Sequence, residues 1–177
     1  MIRYNELIGL KALNRENGEK IGEIIDIVFS ENLNKIVGLV IEDGMLFKDR
    51  KMATFENIDC IGKDAIMLIS VEDYESEKGK KEYDKYLGKN IALIDKEVLD
   101  ESGEFIGYVK DFIINSENGE ITGYIITEGI IEDIVKGRSF IPNGRNMDIN
   151  KENIIISHEI KDMDVKNEDI YKKLLEL

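Results

Sequence analysis

The sequence predicts an all-β chain, two tandem small β-barrels followed by a short C-terminal α-helix. Three observations predict it. The chain of 177 residues contains itself twice, at a shift of 85. Its apolar residues fall in short Ile- and Val-rich runs separated by turn residues. Glycines recur at the centres of those runs, where a strand must coil sharply or accept a close neighbour.

In the first copy, residues 1–71, the segment Gly18-Glu19-Lys20-Ile21-Gly22-Glu23-Ile24-Ile25-Asp26 precedes a second run, Ile36-Val37-Gly38-Leu39-Val40-Ile41. Asn17-Gly18 is a hairpin signal, since both residues tolerate positive φ. The strand from Lys35 to Asp43 carries Val37, Leu39 and Ile41 on one face and Ile36 and Val40 on the other. With clean alternation lost, a curled sheet covered on both faces is expected. A linker, residues 72–86, follows; 10 of its 15 residues are charged, which suits a solvated stretch or a short exposed helix.

The second copy, residues 87–160, repeats the pattern without a gap. Gly103-Glu104-Phe105-Ile106-Gly107-Tyr108-Val109-Lys110-Asp111 leads to Ile121-Thr122-Gly123-Tyr124-Ile125-Ile126, and Asn118-Gly119 marks a hairpin. Between 18 and 42, 8 of 25 aligned residues are identical, and most other pairs exchange one apolar residue for another. Asp95 to Asp100 read as extra residues ahead of Gly103. The copies close alike, in Ala65–Ser70 and Asn153–Ser157. In residues 161–177, Asn167 is an N-cap, Glu168 and Asp169 fill a first turn, and Ile170, Tyr171, Leu174, Leu175 and Leu177 form an apolar stripe.

Composition narrows the function. With 42% hydrophobic and 34% charged residues the chain is globular. No run approaches the roughly 18 apolar residues that span a bilayer. The opening residues lack a basic-then-apolar leader, so a cytoplasmic location is expected. A lone cysteine, Cys60, excludes an internal disulfide, a cysteine zinc cage and a CxxC redox pair. The net charge is -13, with -6 in residues 1–75 and -7 in the remainder, so neither half hides a basic module. Direct nucleic-acid binding is not expected of such a chain, because phosphate neutralisation needs a basic face.

These residues resemble the PRC-barrel family. Its pattern is an opening apolar-x-Gly-basic strand followed by glycines and an aspartate at fixed offsets. The first copy offers Leu7-Ile8-Gly9-Leu10-Lys11-Ala12, then Gly18, Ile21, Gly22, Ile24 and Asp26. The second offers Leu87-Gly88-Lys89-Asn90-Ile91, then Gly103, Ile106, Gly107, Val109 and Asp111. Leu10 stands where the family usually has a basic residue. The resemblance implies a barrel fold and a protein–protein adaptor role without a shared catalytic set. Relatives include a cytoplasmic portion of a purple-bacterial photosynthetic reaction-centre subunit, and a ribosome-maturation factor whose barrel helps bind a ribosomal protein.

Candidate chemistry is sparse. The repeated Gly18, Gly22, Asp26 and Gly38, with Gly103, Gly107, Asp111 and Gly123, read as structural. Asp26 and Asp111 lie in register with apolar neighbours and should anchor backbone amides; a paired catalytic carboxylate or metal ligand is the alternative. His158 is the only histidine, and Cys60 lies in the other copy, so no nucleophile–base–orienter set emerges. The segment Asn14–Gly18 lacks the leading Asp and distant Glu of a calcium loop. Gly103–Gly107 lacks the Lys and Ser/Thr of a phosphate cradle. Equivalent basic loops, Lys48, Arg50 and Lys51 in one copy and Lys136 and Arg138 in the other, are candidate contacts for an anionic partner. The expectation is a non-enzymatic, cofactor-free bacterial adaptor for a protein partner, a ribosomal protein being one candidate. A ribosome-maturation or RNA-processing factor and a small ligand-binding barrel or enzyme are the alternatives, and homo-oligomerisation is open.

Overall fold

A computed structural model describes residues 1–43, 50–73, 92–129, 133, 138–144 and 147–159. The expected C-terminal helix and nearly all of the charged linker lie outside the described residues, as does Leu87–Ile91, expected to open the second copy.

In chain order the strands are β1 (Ile2–Arg3), β2 (Lys11–Asn14), β3 (Lys20–Phe29), β4 (Ile36–Glu42), β5 (Arg50–Thr54), β6 (Ile58–Ile61), β7 (Ala65–Leu68), β8 (Glu72–Asp73), β9 (Glu97–Asp100), β10 (Phe105–Ile114), β11 (Ile121–Thr127), β12 (Ser139–Pro142), β13 (Met147–Ile149) and β14 (Asn153–Ile156). A short helix, α1 (Tyr4–Leu7), follows β1, and a 3-10 turn, Phe55–Asn57, joins β5 to β6. The all-β class holds. The first sheet runs β6-β7-β2-β3-β4-β5-β8, and the second β12-β11-β10-β9-β14-β13 with β1 added on β10. Among the described residues the end strands of neither sheet pair with one another, so both are curled open sheets, not the closed barrels expected.

The copies match strand for strand. Antiparallel β3–β4 corresponds to β10–β11, and the parallel pair β2–β7 to β9–β14. Each carries register shifts at the same three places: at Ile21 and Ile106, at Ile25 and Lys110, and at Val37 and Thr122. Such bulges bend a strand and increase its twist, which is how a ten-residue strand serves two stretches of one curled sheet. They also revise the face assignment in β4. Val37 packs with Val28, Val40 and Met52, because the bulge moves it onto the face of Val40. The corresponding cluster in the second copy is Ile113, Ile125 and Phe140, with Met1 against it. Leu39, Val40 and Ile41 are all buried, so both faces of β4 are covered as expected.

Asp95 to Asp100, expected as extra residues ahead of Gly103, belong to the opening of the second copy. Leu93-Ile94-Asp95-Lys96-Glu97-Val98 occupies the place of Leu7-Ile8-Gly9-Leu10-Lys11-Ala12. The Gly9 amide donates to the Ile24 carbonyl, and the Asp95 amide to that of Val109. Gly9 has φ +85° and Asp95 +62°, and aspartate is among the few side chains that tolerate this left-handed region. Residues 95–100 are therefore the opening strand itself, entered through Asp95 instead of glycine.

The chain divides into two compact units, and two short segments cross between the copies. One unit takes the described residues of Asn5–Asn90 together with Ser116–Glu120. The other takes Met1–Tyr4, the described residues of Ile91–Asn115 and those from Ile121 onward. In the latter, Ile2 and Arg3 pair with Ile114 and Ile113, and the Tyr4 ring stacks on Phe112 at 4.9 Å. In the former, Glu120 bridges Lys35 and the Gly119 carbonyl accepts from the Ile36 amide at 2.8 Å.

Candidate functional site

The repeated aspartates sit at the bulges. Asp26 follows the bulged Ile25, and its carboxylate accepts from the Ile27 amide at 2.8 Å. Asp111 follows Lys110 and accepts from the Phe112 amide at 2.9 Å. A bulge takes an amide out of the ladder, and the carboxylate of the neighbouring residue supplies the missing acceptor. Asp111 is buried, 5% exposed, whereas Asp26 is half-buried. Burial raises the Asp26 carboxyl above its ordinary pKa, with the Ile27 amide and the charge of Arg50 opposing that rise.

The repeated glycines serve the same sheet. Gly18 and Gly103 turn the chain at φ +73° and +81°. Gly22, Gly107, Gly38 and Gly123 lie where a neighbouring strand leaves no room. A Cβ on Gly123 would sit 2.7 Å from the Ile141 carbonyl oxygen and inside contact distance of the Phe140 ring. Each of these glycines and the two aspartates lies at a turn, a bulge or a close strand approach.

Of the basic positions, Arg50 and Arg138 each meet an acid of their own copy. Arg50 begins β5 opposite Glu42, with Nε 3.6 Å from the carboxylate, and half-buried Lys51 follows it. Arg138 precedes β12 at the equivalent place, and its Nε donates to Asp133 at 2.9 Å. Asp133 also accepts from the Thr127 hydroxyl at 2.7 Å. Lys48 and Lys136 lie outside the described residues.

His158 lies just past β14, exposed, with Nδ1 3.7 Å from the Asp100 carboxylate. That carboxylate is itself buried, and its Oδ1 accepts from the Ser102 amide, the Ser102 hydroxyl and the Glu104 amide. It caps the turn before β10, as Asn14 caps the turn before β3. The Ser157 hydroxyl is buried and has no hydrogen-bond partner among the described residues, His158 included. Cys60, exposed on β6, belongs to the other unit. Among the described residues no cluster of three or more His, Cys, Asp or Glu could hold a metal ion. None of their helices is long and apolar enough to cross a membrane.

One surface feature escaped the sequence reading. Phe105 and Tyr108 are each 43% exposed, and their rings lie 5.1 Å apart, tilted by 60°. Strict alternation would place positions i and i+3 on opposite faces. The bulge at Ile106 inserts the extra residue that returns Tyr108 to the face of Phe105. The equivalent residues of the first copy are Lys20 and Glu23, which form an ion pair at 2.7 Å on the same face. Identical backbone thus presents ions in one copy and aromatic rings in the other. Leu99 lies opposite Phe105 and Ile155 opposite Leu99, both half-buried, so the apolar strip extends across three strands.

No curated protein matches the chain. The PRC-barrel domain matches it twice, over residues 1–78 and 92–170. Two matched sheets with the same bulges, glycines and bulge-capping aspartates, spanning those ranges, mean that the chain belongs to the PRC-barrel domain family, as a tandem member.

Proposed function

We propose that this chain is a non-enzymatic docking module that binds a protein partner, and that its second copy carries the docking surface. The supporting observation is the exchange of the Lys20–Glu23 ion pair for the exposed Phe105–Tyr108 ring pair on an otherwise equivalent strand. Aromatic side chains held rigid on a sheet contribute large contact area at low entropic cost, and such residues dominate protein interfaces. PRC-barrel domains often mediate protein interactions. RNA binding gains no comparable support, since Arg50 and Arg138 face Glu42 and Asp133 and the net charge is -13.

The test is affinity capture from native lysate with the full chain and with Phe105→Lys combined with Tyr108→Glu, which installs the residues of the first copy. A protein retained by the parent and lost by the variant, at an unchanged melting temperature, is expected. An identical captured set for both chains overturns the reading.

A further inference from the structure

Resting on that docking reading, we propose that the Phe105–Tyr108 strip receives an extended, cationic protein segment, one in which Lys or Arg alternates with apolar side chains. The apolar half of the complementarity is the strip itself, two rings continued by Leu99 and Ile155. The charged half is its border. Glu97 lies directly opposite Tyr108, and exposed Asp148 directly opposite Ile155. Glu104 immediately precedes Phe105, and Glu128 immediately follows Thr127, the cross-strand partner of Tyr108. Beyond Ile155 the strip opens into a groove whose lining includes Glu101, Asp148 and Glu159.

Two nearby cations among the described residues have partners of their own. The Lys96 ammonium is drawn into the fold, donating to the Lys151 carbonyl at 2.8 Å, and Lys110 lies 3.8 Å from the Asp95 carboxylate. A ring face bordered by carboxylates attracts a guanidinium or ammonium twice over, through the ring quadrupole and through the charge. A segment with alternating side chains fits because Phe105 and Tyr108 share one face of one strand, along which side chains repeat at about the spacing of an extended chain lying beside it. A second copy of this chain is a poor occupant, since it brings its own -13.

The test uses a synthetic peptide alternating arginine with leucine, its glutamate–leucine counterpart, a labelled RNA hairpin and the full-length chain. Two variants are compared with the parent: Phe105→Lys with Tyr108→Glu, and Phe105→Ser with Tyr108→Ser. Neither changes net charge, so non-specific attraction to an acidic protein survives both and strip binding does not. Binding of the arginine–leucine peptide should weaken at least about tenfold in both variants and in Glu97→Lys, with unchanged melting temperatures, tenfold being about 1.4 kcal/mol. The glutamate–leucine peptide should not bind, and raising salt from about 50 to about 200 mM should weaken the complex without abolishing it.

Equal affinity of parent and variants for the arginine–leucine peptide overturns the proposal. So does tight binding of the RNA hairpin that the variants lose, or a parent dimer that they dissolve. If a lysate protein needs the strip but the cationic peptide does not bind, the partner chemistry fails while the docking reading stands. If lysate capture is indifferent to the strip, the docking reading fails first.

Discussion

Asp111→Ala and Asp26→Ala remove the same carboxylate from the same bulge in two environments. In Asp111→Ala the buried Phe112 amide loses its 2.9 Å acceptor at a position only 5% exposed, where water cannot easily replace it. An orphaned buried donor costs about 1–3 kcal/mol, and this one belongs near the upper end. In Asp26→Ala the orphaned Ile27 amide lies beside a half-buried position that water can reach, and removing a partly desolvated carboxylate offsets part of the loss, so about 1 kcal/mol is expected. With a urea m-value of about 2 kcal/mol/M the midpoint shifts are about 1–1.5 M and about 0.5 M. The chain has no tryptophan. Denaturation is therefore followed by far-UV circular dichroism, with hydrogen exchange assigning each loss to the peptides of β3–β4 or β10–β11. The half-buried site adds a pH signature. Its raised pKa means that Asp26 contributes most favourably when protonated, below the ordinary carboxylate range, and that this contribution is lost as pH rises through the raised value. Asp26→Asn keeps an acceptor for Ile27 and cannot ionise, so it should gain on the parent as pH rises from about 3 to about 6. Equal costs for the two alanine variants, or a larger cost at Asp26, would refute the burial argument. Unchanged midpoints together with lost partner binding would make the aspartates functional.

Two further perturbations separate space from backbone conformation and test the crossing segments. Gly123→Ala drives a Cβ to 2.7 Å from the Ile141 oxygen and into the Phe140 ring, and should cost about 1–3 kcal/mol by overpacking. Gly38→Ala meets the movable end of Met52 and the Ala53 oxygen at 3.0 Å and should cost less, while Gly18→Ala has open space and should lose only the αL penalty of about 1–2 kcal/mol. Urea midpoints that rank Gly18→Ala as the worst of the three would contradict this. A chain shortened to begin at Asn5 loses β1 and the Tyr4 stack on Phe112, so exchange should accelerate in β10 and β12 and stay unchanged in β3–β5. Faster exchange confined to β3–β5 would contradict the assignment of Met1–Tyr4 to the second sheet.

Repetition made the fold legible. Gly18, Gly22, Asp26 and Gly38 recur at a constant shift of 85 because three shared bulges and two close strand approaches demand those residue types twice. Where the copies use different residues for one conformation, legibility failed. Asp95 performs the left-handed turn of Gly9, so the opening strand of the second copy was read as an insertion. Sheet closure depends on hydrogen bonds between strands distant in sequence, and no local pattern reports it. The Phe105–Tyr108 strip was hidden for another reason. A period-two reading separates those rings, and only the bulge at Ile106, invisible in side-chain patterning, brings them together.

The crossing of Met1–Tyr4 and Ser116–Glu120 has a consequence for biosynthesis. A nascent chain that has just left its first copy behind cannot yet finish it, because the Gly119 carbonyl that receives the Ile36 amide has still to be translated. Meanwhile Ile2 and Arg3 belong to a sheet whose other strands are translated only after the whole first copy, Ile2 waiting for Ile114. Such distant pairings are entropically costly to close and slow folding. Cutting the coding sequence at the linker should therefore give two halves each missing part of its fold, and a gene fusion or split reporter built on one copy would inherit that defect.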